Sequence, residues 1–318
     1  VQPAGLGVFA CWHSFSSMSV TAILLVSISA GLHALWNLVG KRQNPSAAYF
    51  LISATCAALL TLPLLVIYQA VLAQLPLVAW GLLLATGLCQ AVYYVGLAGA
   101  YRRGELSVAY PLVRALPVVL IALISLGLGK SLNLPGVAGI LAVAGGCLLI
   151  PLPSFSAFKR QTYLTGRTGL AILAALGTTG YTLIDNQALA ILRALPSAGL
   201  DHISSPLLFL ALENLVTAVL LAGYVWLAAA ERRQLGNFSR TGWLSAAGTG
   251  MLITLAYGLV LGSMAFVTNV SYIAAFRQLS IPLGASLGFL IQKEPATPPR
   301  LVGIGILTFG LVLVAVAS

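Results

Sequence analysis

Charge is the scarcest property of this chain. Of its 318 residues, 16 are Lys or Arg and 6 are Asp or Glu, so charged residues make up 7% of the sequence. Soluble domains carry about 25%. So little charge excludes an ordinary water-soluble globule. Cysteine is scarce too, with 4 residues in all. Cys56, Cys89 and Cys147 lie within apolar runs and Cys11 lies near the N-terminus, with no C-x-x-C pair. This usage excludes a disulfide framework and a zinc ribbon, and leaves small apolar core residues. Three histidines (His13, His33 and His202) form no metal-ligand spacing. No G-x-x-x-x-G-K-S/T loop occurs, which argues against direct ATP-driven pumping. No cofactor fingerprint and no metal site are expected.

What the chain has instead is apolar length. Its hydrophobic fraction is 59% and its mean hydropathy is +1.00. The runs fall near 21–39, 47–68, 78–100, 107–128, 135–152, 168–192, 206–229, 242–265, 268–291 and 301–317. A helix needs about 20 such residues to cross a hydrocarbon layer of ~30 Å. The sequence therefore predicts an all-α membrane protein with ten transmembrane helices. The connections are short, which leaves no room for a separate extramembrane domain. Segment 1–20 precedes the first run; it has no basic start and no cleavage site of secretory type. Met18 stands just ahead of the first helix and is a candidate start.

The net charge of +10 would point to nucleic acid in a soluble protein. Here the basic residues cluster at the ends of apolar runs, and no nucleic-acid partner is expected. Lys41, Arg42, Arg102, Arg103, Lys159, Arg160 and Arg167 lie in alternate loops, as do Arg232, Arg233, Arg240, Lys293 and Arg300. The opposite side carries Lys130 and Arg193. By the positive-inside rule the first set is cytoplasmic and both termini are external. Separately, the expected location is a bacterial inner membrane.

The two halves of the sequence echo one another. VAYPLVR ends at Arg114 and is followed sixteen residues later by Lys130; VSYIAAFR ends at Arg277 and is followed sixteen residues later by Lys293. His33 and Asn37 are four apart in the first run, as Tyr181 and Asp185 are in the sixth. An odd number of crossings per half inverts the second copy relative to the first. The expected organisation is therefore two inverted five-helix repeats, 21–152 and 168–317, joined by a linker at 153–167. Inverted repeats recur in secondary transporters, whose sites lie between the halves near the midplane.

The segments HALWNLVGKR (33–42), AYPLVRALP (109–117), GYTLIDNQAL (180–189) and SYIAAFRQLS (271–280) resemble the drug/metabolite transporter superfamily. The likeness is to its ten-helix members with two EamA-type repeats, and it runs from about residue 20 to 317. It implies a carrier of small organic metabolites, often an exporter. Two features depart from the family. Gly129-Lys130 stands where a Gly-Glu pair is usual, and family precedent puts both termini in the cytoplasm, opposite to the charge count.

Four charged residues lie well inside the runs: Arg114, Asp185, Glu213 and Arg277. Each costs ~2.5–3.5 kcal/mol at a helix centre on insertion scales, so each must face a partner or water. Counting from the run ends puts Asp185, Glu213 and Arg277 in one layer, two acids for one base. Tyr110 and Arg114, like His33 and Asn37, share helix faces at four-residue spacing, with Trp36 alongside. The expected substrate pathway is thus His33, Trp36, Asn37, Tyr110, Arg114, Tyr181, Asp185, Glu213 and Arg277. A static buried ion pair of Arg277 with either acid is the structural alternative. An amino-acid-like or other small polar metabolite matches two bases and two acids, moved by alternating access. Gly284 and Gly288 fall on the Arg277 face and are expected to admit a neighbouring backbone or the substrate. Gly258 and Gly262 have the spacing of a helix-packing pair.

Residues 284–288 read Gly-Ala-Ser-Leu-Gly and match the serine-hydrolase pattern. That motif needs a strand-turn-helix elbow, and here it falls inside an apolar helix, so no enzyme is expected. An intramembrane enzyme and a non-transporting receptor or assembly subunit remain the rival readings. The expected partners are a small-molecule substrate, the lipid bilayer and, through apolar faces, a second copy of the chain.

Overall fold

The computed structural model describes residues 18–40, 46–103, 106–157, 168–195, 199–293 and 295–316. Helices cover every apolar run. They are α1 (Val20–Gly40), α2 (Ala47–Ile67), the short α3 (Gln69–Leu72), α4 (Leu77–Arg103), α5 (Leu106–Gly127) and α6 (Leu134–Leu149). There follow α7 (Gly169–Arg193), α8 (Ser204–Leu227), α9 (Ala229–Gly236), α10 (Arg240–Ser263), α11 (Val270–Phe276), α12 (Ser280–Gln292) and α13 (Pro298–Val316). The only extended pairing among the described residues is the isolated bridge of Met18 with Val267.

The chain is an all-α protein of membrane type. Among the described residues, five segments are long and apolar enough to cross a bilayer: Ala47–Ile67, Leu77–Ala100, Ser204–Leu227, Arg240–Phe266 and Pro298–Val316. Val20–Trp36, Val113–Gly127 and Leu134–Leu149 are shorter apolar helical segments. The outer surface is itself apolar: Leu59, Val66, Val219, Trp226 and Phe309 are all more than half exposed. Meanwhile Asp185 and Glu213 are sealed inside at 0% and 1% exposure. Exposed apolar area on that scale marks a surface solvated by lipid.

Polar caps start several helices, because the first backbone N–H groups have no partner within the helix. Ser46 accepts from Tyr49 N at 3.1 Å, Asn133 from Gly136 N at 2.9 Å and Ser239 from Gly242 N at 3.1 Å. Asp201, in the loop before α8, accepts from the Ser204 and Ile203 backbones. The Ser204 bonds, backbone first, hold its carboxyl down at about 2.

Backbones approach closely where glycines oppose glycines. α6 lies against α13, α4 against α7, α1 against α10 and α2 against α8. A Cβ on Gly139 would stand 2.8 Å from the Gly310 carbonyl oxygen, and one on Gly146 would stand 2.6 Å from that of Gly303. Each partner pair is seven residues apart, so each lies on one helix face. The glycines singled out by spacing behave differently. Gly284 has nothing within 4 Å of a Cβ, and Gly262 has only Leu25 at 3.9 Å. Gly258 meets the Leu210 side chain at 3.1 Å, not a backbone. Spacing marks a small-residue face, but the fold decides whether a neighbour occupies it. The surroundings of Gly288 lie outside the described residues.

The ninth run is not one helix. α11 stops at Phe276, Arg277–Leu279 form a 3-10 turn, and α12 resumes at Ser280. Pro282 supplies the cause. It offers no N–H to the carbonyl of Gln278, and its ring crowds that carbonyl. The bend puts Arg277 at the break, where its backbone carbonyl accepts from Ser280 Oγ at 3.0 Å.

Candidate functional site

Two buried carboxylates meet at the contact of α4, α7 and α8. The Thr86 hydroxyl on α4 donates to Asp185 Oδ1 and stands 3.5 Å from Glu213 Oε1. Gln90, one turn along α4, donates through Nε2 to the same glutamate oxygen. Tyr257 on α10 donates its phenolic hydrogen to Asp185 Oδ2. Both aspartate oxygens are thereby occupied. Thr86 and Gln90 carry no charge and so escape a search for buried ions. Their signal in the sequence is a polar pair at four-residue spacing within an apolar run.

Arg277 faces the same tyrosines from the other side. Its Nη2 donates to Tyr181 Oη at 3.4 Å. The guanidinium carbon lies 5.4 Å from the Tyr257 ring centre and 5.9 Å from that of Tyr181, within cation–π range. The two rings meet edge to face at 5.5 Å. The expected direct layer of two acids and one base is therefore divided by phenols: Arg277 reaches Asp185 through tyrosine, not as an ion pair. Run-end counting gives depth but not which side chain stands between.

In front of these tyrosines opens a cavity of about 840 Å³, its open mouth included. Helices from both halves of the sequence line it. His33 and Trp36 come from α1, Gln90, Tyr93 and Tyr94 from α4, and Arg114 from α5. Tyr181 comes from α7, Asn214 from α8, Tyr257 from α10 and Arg277 from the break after α11. Trp36 Nε1 donates to His33 Nδ1 at 2.8 Å.

Of the residues expected on a substrate pathway, His33, Trp36, Arg114, Tyr181 and Arg277 share this one wall. Asp185 and Glu213 do not line it; they sit behind Tyr257 and Gln90. The side chains of Asn37 and Tyr110 lie outside the described residues. Gln90 and Asn214 are cavity residues that charge and motif reasoning missed, while Tyr93, Tyr94 and Tyr257, whose residue type and position suit packing or interfacial roles, line the cavity as well. Ser286 of the hydrolase-like pattern donates to the Pro282 carbonyl at 2.9 Å within its own helix.

A second charged cluster is distant in sequence from these residues. Glu231, 3% exposed, pairs with Arg102 and accepts from Ala48 N at 3.1 Å. It therefore anchors α9 to the start of α2 and the end of α4.

No protein-family model matches this chain, and no curated protein does. Solved structures do match. One, described only as "Crystal structure of protein", superposes with a TM-score of 0.64 at 14% identity, covering 95% of this chain and 99% of the other. At that identity the likeness is one of fold alone.

Proposed function

We propose that this protein is a secondary transporter of a small polar metabolite, working by alternating access in a bacterial inner membrane. One observation carries the reading: a polar cavity with two arginines, enclosed by apolar helices and walled from both halves of the chain. Buried ionisable groups in a bilayer are expensive and commonly mark a path for solutes.

The helix pairings support two five-helix repeats. Exchange α1 with α7, α2 with α8, α4 with α10, α5 with α11–α12, and α6 with α13. The packing of α4 on α7 then becomes that of α10 on α1, and α4 on α8 becomes α10 on α2. The contact of α5 with α7 becomes that of α12 with α1, while α2–α8 and α6–α13 map onto themselves. Five crossings per half make the repeats inverted, the arrangement in which rocking of one half on the other exposes a midplane site to either side. The resemblance to ten-helix drug/metabolite transporters points the same way.

The broken ninth helix fits this mechanism. Discontinuous helices recur at transporter sites, where freed backbone groups and a charged side chain meet the substrate. Arg277 stands at such a break.

Reconstitution into liposomes tests the proposal. Vesicles loaded with a mixture of amino acids and organic acids should release at least one component faster than protein-free vesicles. Arg277→Ala should abolish the difference. Release that Arg277→Ala and Arg114→Ala both leave unaltered would remove the cavity from the path.

A further inference from the structure

We infer that the cavity is an anion site, built for a small organic carboxylate, and not for a zwitterion or a cation. The inference deepens the transporter reading, but the binding it predicts is measurable without transport.

The wall carries two fixed positive charges, Arg114 and Arg277, and no Asp or Glu among its described residues. The acids that balance these charges in sequence are withdrawn from the cavity. Asp185 has both oxygens taken by the hydroxyls of Thr86 and Tyr257. Glu213 has Oε1 taken by Gln90 and is 1% exposed. An ammonium entering the cavity would find no carboxylate among the described wall residues and two guanidiniums to repel it. The repulsion is large where water is excluded. The faces of Tyr181 and Tyr257 are already turned to Arg277.

A carboxylate meets the opposite situation. Guanidinium forks match its two oxygens in geometry and charge. A neutral donor adds to them. Asn214 Nδ2 is a buried donor in the wall with no acceptor among the described residues. A buried donor left unmatched is costly, and a ligand oxygen would match it. With its N–H committed to His33, Trp36 can offer a ligand only its apolar face.

The test is calorimetric titration of the detergent-purified full chain with 3-phenylpropionate, 3-phenylpropylamine and phenylalanine. These share a ring and differ in charge. The acid should bind, the zwitterion should bind more weakly, and the amine should not bind. Arg114→Gln and Arg277→Gln should each weaken the acid by about tenfold or more, the scale of one lost charged hydrogen bond. Lys130→Gln, an exposed residue outside the cavity, should leave the affinity unchanged. Each variant must elute as the wild type does; if Arg277→Gln does not, Arg277→Lys keeps the charge while removing the fork and should weaken binding. Amine or zwitterion binding as tight as the acid overturns the inference. So does acid binding that the arginine substitutions do not weaken, or no acid binding into the millimolar range. Flux of the same acid in liposomes is scored separately: binding without flux leaves the anion site standing and removes the carrier.

Discussion

Tyr257 donates its phenolic hydrogen to Asp185 while the face of its ring lies against Arg277. One side chain thus separates a buried acid from a cavity cation and touches both. Removing its hydroxyl should expose that arrangement. Tyr257→Phe keeps the ring and leaves Asp185 Oδ2 without its donor in a fully buried site. A loss of about 1–3 kcal/mol is expected. It should be read as a lowered unfolding midpoint in detergent, with the remaining phenyl ring still in place to hold the cavity wall.

Pro282 produces the break at Arg277. Pro282→Ala restores an N–H to the Gln278 carbonyl and allows α11 and α12 to join. Slower flux with retained ligand affinity is expected, because the wall residues remain but the bend that rocking would use is stiffened. Parallel flux and titration measurements check this. Wild-type flux would show that the break has no role in turnover.

Gly146 allows α6 to approach α13 closely. A side chain at this position meets the Gly303 carbonyl at 2.6 Å, where only backbone movement relieves the clash. Gly146→Leu should therefore destabilise by about 1–3 kcal/mol or more, the range for overpacking. Gly284→Ala, with open space around it, should show only a difference in helix propensity, which favours alanine by about 1 kcal/mol. Thermal midpoints of the two variants, measured side by side, distinguish packed glycines from unpacked ones.

Glu231 serves two partners and Arg102 serves one. Glu231→Ala removes the ion pair and the acceptor for Ala48 N together. Arg102 is 32% exposed at its side chain, so the pair itself is partly screened and worth about 1 kcal/mol or less. Glu231→Ala should be the more damaging of the two single variants, by about 1 kcal/mol for the lost backbone bond. Equal effects in thermal unfolding would assign the whole contribution to the ion pair.

Much of the molecule's plan is written in one dimension. Long uncharged runs must become helices in an apolar medium, because lipid offers no partner for backbone N–H and C=O groups. Arg114, Asp185, Glu213 and Arg277 attract notice for the same reason, since each contradicts its surroundings. The echo of VAYPLVR in VSYIAAFR is visible for a simpler reason: it is a property of the letters.

The fold alone decided what stands between those residues. Depth along a helix follows from counting, so the two arginines could be placed at mirror-related depths from the sequence. Azimuth and neighbours follow from how helices pack, and packing draws on residues far apart along the chain. Thus Tyr257 lies between Asp185 and the cavity, Thr86 and Gln90 hold the acids, and Gly139 and Gly146 find Gly310 and Gly303. A glycine, a threonine or a tyrosine carries no sign of its partner in its own segment. Only contact in three dimensions selects which polar groups face the cavity and which are sealed behind it.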